Sequence, residues 1–176
     1  MKFSDWLAED KTIPQLQQHI QQGFPNTKKR QHATHEVRIT KLQYLPITNK
    51  EILRITANTT STNGNPHKQI LDLQNVNFQP PNSGNNVVIQ DLGGHPHSIT
   101  PVVLNINNVK VYCDCEDYQM RFAHYNIENN CHIGPPPAPY TRKTDTRPEA
   151  NPNHVPGLCK HLLAVVSDLK QQKVLK

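Results

Sequence analysis

The chain has 176 residues, a formal net charge of +5 and a hydrophobic fraction of 35%, which is length for one or two small domains and little apolar material for a large core. No stretch is long and apolar enough to form a bilayer-spanning helix, and Met1-Lys-Phe-Ser-Asp-Trp has no apolar run behind it, so a helical membrane protein and a signal-led secreted protein are both excluded as expectations. The positive balance permits an acidic partner such as nucleic acid without requiring one.

In chain order, residues 1–34 read as an N-terminal docking segment. Trp6 and Leu7 form a small apolar anchor. Thr12 then caps a short helix with Pro14 in its first turn, apolar positions Ile13, Leu16 and Ile20, and Gly23 as the stop. Residues 35–108 read as an antiparallel β region. Val37 to Leu45 alternates for most of its length, as do Glu51 to Ala57 and Ile70 to Phe78. Thr59 to Pro66 is turn material between the last two. Val87 to Leu92 and Ile99 to Leu104 add two runs, and Ile106-Asn107-Asn108-Val109 marks a hairpin. Strands separated by Asn, Gly and Pro without intervening helical periodicity predict an antiparallel sheet.

Residues 109–176 read differently. Val109 to Tyr112 is strand-like and ends in Cys113-Asp-Cys115. Glu116 to Asn126 predicts a short helix with Tyr118, Phe122 and Tyr125 towards one side. Residues 133–157 form a Pro-rich extended loop without periodicity, a stiff connector in its composition. Cys159-Lys-His161 follows and opens an apolar helical pattern through Leu162, Leu163, Val165, Val166 and Leu169. The fold expected is therefore α+β: a small antiparallel β region, then a metal-stapled module with short helices.

Cys113, Cys115, Cys159 and His161 are two tight pairs of soft ligands, each with one residue between its members. Two such pairs fill the four tetrahedral positions of a structural zinc ion. A strand end and a helix start both offer N–H groups to thiolate sulfur. With export not expected, metal-bound or free thiols are favoured over disulfides. Unrelated buried cysteines remain the alternative, since free cysteine packs as a small hydrophobe.

At these residues the chain resembles the SWIM-type zinc finger, CxC, a gap, then CxH leading into an apolar helix. The resemblance covers residues 109–170. Its gap of 43 residues between Cys115 and Cys159 is longer than the usual family pattern. Arg121-Phe122 and Gly134 to Lys143 inside the gap resemble a variant found in tailed-phage proteins. The resemblance implies a nucleic-acid- or protein-binding module, and the narrower one a virion component of neck, tail or baseplate.

Cys131 lies within the gap and leaves the metal open. Four thiolates at 113, 115, 131 and 159 could hold zinc or an iron–sulfur cluster, with His161 beside them.

No HExxH, GxSxG, Walker loop or GxGxxG occurs, and His95-Pro-His97 beside Gly93-Gly94 reads as a polar turn. Basic clusters stand at Lys28-Lys29-Arg30, at Arg142, Lys143 and Arg147, and at Lys170, Lys173 and Lys176. Asp114, Glu116, Asp117, Asp145 and Glu149 are interleaved with those of the C-terminal part. The expectation is a non-enzymatic structural or assembly protein that contacts other subunits, copies of itself among them. Nucleic acid is a weaker candidate partner and a membrane is not expected. The producing cell's cytoplasm, then a virion, is the place this implies.

Overall fold

The computed structural model describes residues 11–23, 36–61, 64–80, 84, 86–104, 106–137 and 151–176. Trp6 and Leu7, the clusters at 28–30 and at 142, 143 and 147, Asp145, Glu149 and residues 138–150 of the Pro-rich loop lie outside these.

The order is α1 (Ile13–Gly23), β1 (Val37–Ile47), β2 (Ile52–Ser61), β3 (Pro66–Leu73), β4 (Phe78–Gln79), β5 (Val87–Gln90), β6 (Pro96–Ile99), β7 (Val109–Cys113), α2 (Glu116–Arg121), α3 (Ala123–Glu128) and α4 (Lys160–Gln171). A short 3-10 turn, Thr48–Lys50, joins β1 to β2. The fold is α+β, as the periodicities predict. Every strand pair within its two sheets is antiparallel: β1-β2-β3-β7 form one sheet and β4-β6-β5 the other.

The register of the larger sheet explains where everything else sits. Leu53 pairs with Leu73, which pairs with Val109; Ile55, Leu71 and Val111 form the next row; Ala57, Gln69 and Cys113 form the third. Side chains alternate between faces along a strand, so these rows share one face, and all nine residues are buried. Thr59 pairs with His67 one row further on. The opposite face carries Arg54, Asp72 and Lys110 in one row and Thr56, Ile70 and Tyr112 in another. The alternation thus drives apolar burial on one side only. β1 pairs with β2 throughout, with a register shift between Ile39 and Lys41. That bulge at Thr40, whose hydroxyl donates to the Asn58 carbonyl at 3.1 Å, is why the alternation in the β1 sequence is broken once.

Three sequence expectations change. Thr59–Ser61 belong to β2 and Pro66 starts β3, because β-branched Thr59 has a buried position to fill. Gly64, at φ +81°, donates its N–H to the Ser61 carbonyl at 2.8 Å just ahead of β3. The hairpin around 106–109 does not form. A turn is present, with Ile106 and Asn107 donating to the Val103 carbonyl at 3.1 and 2.9 Å. The Asn107 amide, however, donates to the Gln74 and Asn75 carbonyls at 2.8 Å each, and the chain passes to the larger sheet. Val102 is bridged instead to Leu175 near the C-terminus.

β7 is the fourth strand of the larger sheet, so residues on both sides of position 108 contribute to that sheet. The alternating Val109, Val111 and Cys113 need a buried partner surface, and β3 supplies it. The expected single helix over 116–126 is two, α2 and α3, meeting at Phe122.

The core on the apolar face is closed by α1, the α2–α3 pair and α4. Ile13, Leu16 and Ile20 of α1 are buried, and Gln15 accepts the Thr12 N–H at 2.9 Å before the first turn, one half of a capping-box arrangement. In α4, Leu162, Val165, Val166 and Leu169 are buried at helical spacing. Gly157 just before α4 sits hard against this core. A Cβ added there would meet the Phe122 ring at 2.7 Å and Ile20 at 2.8 Å. Gly157→Ala should therefore lower the unfolding free energy by about 1–3 kcal/mol through overpacking, measurable by urea denaturation.

Candidate metal centre

Cys113 is the last residue of β7 and points to the buried face because Val109 and Val111 do. Two residues on, Cys115 is the N-cap of α2, and its sulfur accepts the Tyr118 N–H at 3.3 Å. Sulfur here takes the place that Ser or Asp usually fills at a helix start. Cys159 is the N-cap of α4 with φ −75° and ψ 169°. His161 lies in the first turn of that helix and faces inward beside buried Leu162.

The ligand atoms of Cys113, Cys115, Cys159 and His161 all lie within 4.8 Å of one another, and all four residues are buried. The structure thus brings together the four residues that the paired spacing singled out, from one strand end and two helix starts.

The donor set fits a cation. Neither ring nitrogen of His161 has a hydrogen-bond partner, although the residue is 2% exposed. A buried imidazole with both nitrogens unpaired is costly, and a metal bond answers one of them. Hydrogen bonding from the Cys115 and Cys159 thiols, assisted by the Gln69 amide, pulls the Cys113 thiol down to about 4. Burial pushes the Cys159 thiol well up, and the adjacent sulfurs push it further. The cluster thus stabilises one thiolate and opposes a second. A divalent cation shared by all the sulfurs removes both the desolvation and the repulsion.

Cys131 is buried but stands outside this group of four. Its carbonyl accepts the Val111 N–H at 2.9 Å and its N–H donates to the Asn126 carbonyl at 2.8 Å. The segment through His132 thereby adds in parallel to the outer edge of β7. His95 and His97 also lie elsewhere, around Asp91. That carboxylate accepts the N–H groups of Gly93 and His95 at 2.8 and 2.9 Å and contacts His97 Nε2 at 3.1 Å. These bonds hold the Asp91 carboxyl well below its usual range, the chemistry of an ordered polar turn.

Several residues around the centre were not legible as site residues. Gln69 Nε2 donates to Cys113 Sγ at 3.5 Å, and the His67 ring lies against His161 with centroids 4.5 Å apart. Both come from β3, more than forty residues upstream of Cys113, and only the sheet register juxtaposes them.

Two buried asparagines close the long gap between Cys115 and Cys159. Asn126 Nδ2 donates to the Gly157 carbonyl at 3.0 Å while its Oδ1 accepts the Gly157 N–H at 2.8 Å. Asn151 donates to the Arg121 and Val155 carbonyls at 2.9 and 2.8 Å. The chain re-entering the fold over 151–157 is therefore pinned to α2 and α3, and on the other side of residues 138–150 the Ile133 N–H donates to the Val111 carbonyl of β7 at 3.0 Å.

No known protein family matches the chain, and no curated protein or solved structure is significantly similar to it. Among the described residues, no helix is long and apolar enough to cross a membrane.

Asn126→Ala removes both bonds to Gly157 and leaves buried backbone groups unpaired. It should cost about 1–3 kcal/mol of stability, read by urea denaturation. Amide exchange should rise first around 151–158, while the centre of β2 stays protected.

Proposed function

We propose that Cys113, Cys115, Cys159 and His161 hold one structural zinc ion, and that the protein is a non-enzymatic component of a larger assembly. The observation that carries this is the four-donor cluster itself. Three sulfurs and one imidazole suit zinc. Four protein ligands complete a tetrahedron, whereas catalytic zinc keeps an open position for water or substrate.

When bound, the ion supplies charge neutralisation and four bonds that tie the end of β7, the start of α2 and the start of α4 together. In a chain with so modest an apolar fraction that staple is physically useful, since structural zinc contributes about 10–16 kcal/mol in small modules. An iron–sulfur cluster spreads its protein ligands over several irons, whereas the donor atoms of Cys113, Cys115, Cys159 and His161 lie within 4.8 Å of one another, the spacing that suits a single ion. Zinc is therefore the metal proposed.

The assembly reading draws on Val88 and Leu92, large apolar side chains that are 63% and 61% exposed and line one open cleft together. Such surfaces suit contacts with other subunits, copies of this chain included. A tailed-phage particle is the assembly that the sequence resemblance implies.

A second reading, a SWIM-like module that binds nucleic acid, draws on the outer face of the larger sheet. Arg38, Lys41, Lys68 and Lys110 share that face by register, opposite the metal cluster. Fluorescence anisotropy with a single-stranded oligonucleotide separates the two readings. Salt-sensitive binding lost in a Lys41→Glu, Lys68→Glu double variant would favour nucleic acid; no binding at low salt would favour the assembly role.

Metal removal tests the staple. The purified protein should carry one zinc per chain and be colourless, and a strong chelator should lower its melting temperature sharply. Cys159→Ser should do the same. A brown protein, or one whose melting curve is unchanged after verified metal loss, would overturn the zinc staple.

A further inference from the structure

A glutamine lies in the core where the strand pattern calls for an aliphatic side chain. Gln69 is 0% exposed, and the neighbouring rows on its face are Leu53, Leu73 and Val109, then Ile55, Leu71 and Val111. Its own row is Ala57, Gln69 and Cys113. Residues directly opposite on adjacent strands hold their side chains close together, so the register sets the Gln69 amide beside the Cys113 sulfur. Nε2 donates to that sulfur at 3.5 Å, while Oε1 is buried without a hydrogen-bond partner.

This is a poor arrangement against a neutral thiol. A thiol sulfur is a weak acceptor, and an amide that gives it a donor while leaving its own carbonyl unpaired loses more in desolvation than it gains. Against a thiolate the balance reverses, because a hydrogen bond to an ionised acceptor is roughly twice as strong. The metal cluster enlarges the need. Three thiolates and a neutral imidazole around a divalent cation leave one net negative charge. The four residues are at most 3% exposed, so protein dipoles rather than water must solvate that charge. Cys115 Sγ has the Tyr118 N–H at 3.3 Å, a donor that depends on backbone alone. Among the described residues, the Gln69 side chain does the same for Cys113.

We propose that Gln69 is a positioning residue of the metal centre: its amide N–H orients the Cys113 thiolate and offsets the net negative charge of a three-thiolate site. This rests on the metal reading of the four-residue cluster and extends it to β3, a strand that supplies none of the four donors. It also explains why a polar side chain interrupts the apolar face of that strand.

The test uses the full chain loaded with cobalt(II), with affinity read by chelator competition and sulfur environment by the sulfur-to-cobalt charge-transfer bands. Wild type should bind one cobalt per chain. Gln69→Met keeps the length of the side chain and deletes the donor. It should bind cobalt about 10–100-fold more weakly. Its charge-transfer bands should move to longer wavelength, because the sulfur lone pairs lose the N–H that lowers their energy. Gln43→Met, the same exchange on the opposite face of the sheet, should match wild type in both readouts. Wild-type affinity or wild-type bands in Gln69→Met would overturn the proposal, whatever the stability of the metal-free variant. If Gln69→Met does not fold, the wild type loaded with cadmium-113 decides. Scalar coupling in NMR between the metal and a Gln69 amide proton supports the bond, and its absence overturns it. Failure of wild type itself to bind cobalt would instead bring down the metal reading, and this inference with it.

Discussion

Three thiols and an imidazole share one buried point at the end of a β-sheet, and their mutual electrostatics constrain everything near them. Sulfur close to sulfur in a dry interior tolerates one negative charge and resists the next, as the opposed shifts at Cys113 and Cys159 show. A cation there turns the conflict into cohesion. The four donors come from β7, α2 and α4, so whatever neutralises the cluster also joins the sheet to the helices that cover it. The C-terminal helix is thereby part of the sheet's own core rather than an appended element. Its last residues return to the fold as well, with Lys176 donating to the Val102 carbonyl at 2.9 Å.

The long gap between the two donor pairs follows from the same constraint. A loop closed at its base costs little more entropy when it is lengthened, provided the chain entering and leaving it is fixed. Asn126 and Asn151 fix it by satisfying backbone groups of Gly157, Arg121 and Val155. Each amide supplies donor and acceptor together, so a buried asparagine can stand in for a strand partner where no strand fits. Gly157, with no room for a side chain, lets the chain pass under Phe122 just before Leu158 and Cys159 enter the core.

Much of this was legible in the sequence, for identifiable reasons. Strong periodicity located β1, most of β2, α1 and α4, because apolar residues at spacing two or three to four report burial directly, but of the run expected from Ile70 to Phe78 only Ile70–Leu73 belongs to β3, which starts at Pro66. The Cys-x-Cys and Cys-x-His spacings located the four clustered donors, since two donors one residue apart can reach a common point from one strand end or one helix start. What stayed hidden was long-range. Nothing local says that Val109 to Cys113 pairs with Gln69 to Leu73 rather than turning back on Leu104, and the expected hairpin failed there. His67 and Gln69 look like ordinary polar residues of a strand until the register sets them beside Cys113 and His161. Asn126 and Asn151 belong to a chain rich in asparagine, so only their burial distinguishes them.

X-ray absorption at the metal edge of the purified protein addresses the centre most directly. A zinc staple gives a zinc edge and a first shell of three sulfurs near 2.3 Å and one nitrogen at about 2.0–2.1 Å. A shell of four sulfurs, an iron edge, or a shell of nitrogen and oxygen alone would contradict a site built from Cys113, Cys115, Cys159 and His161.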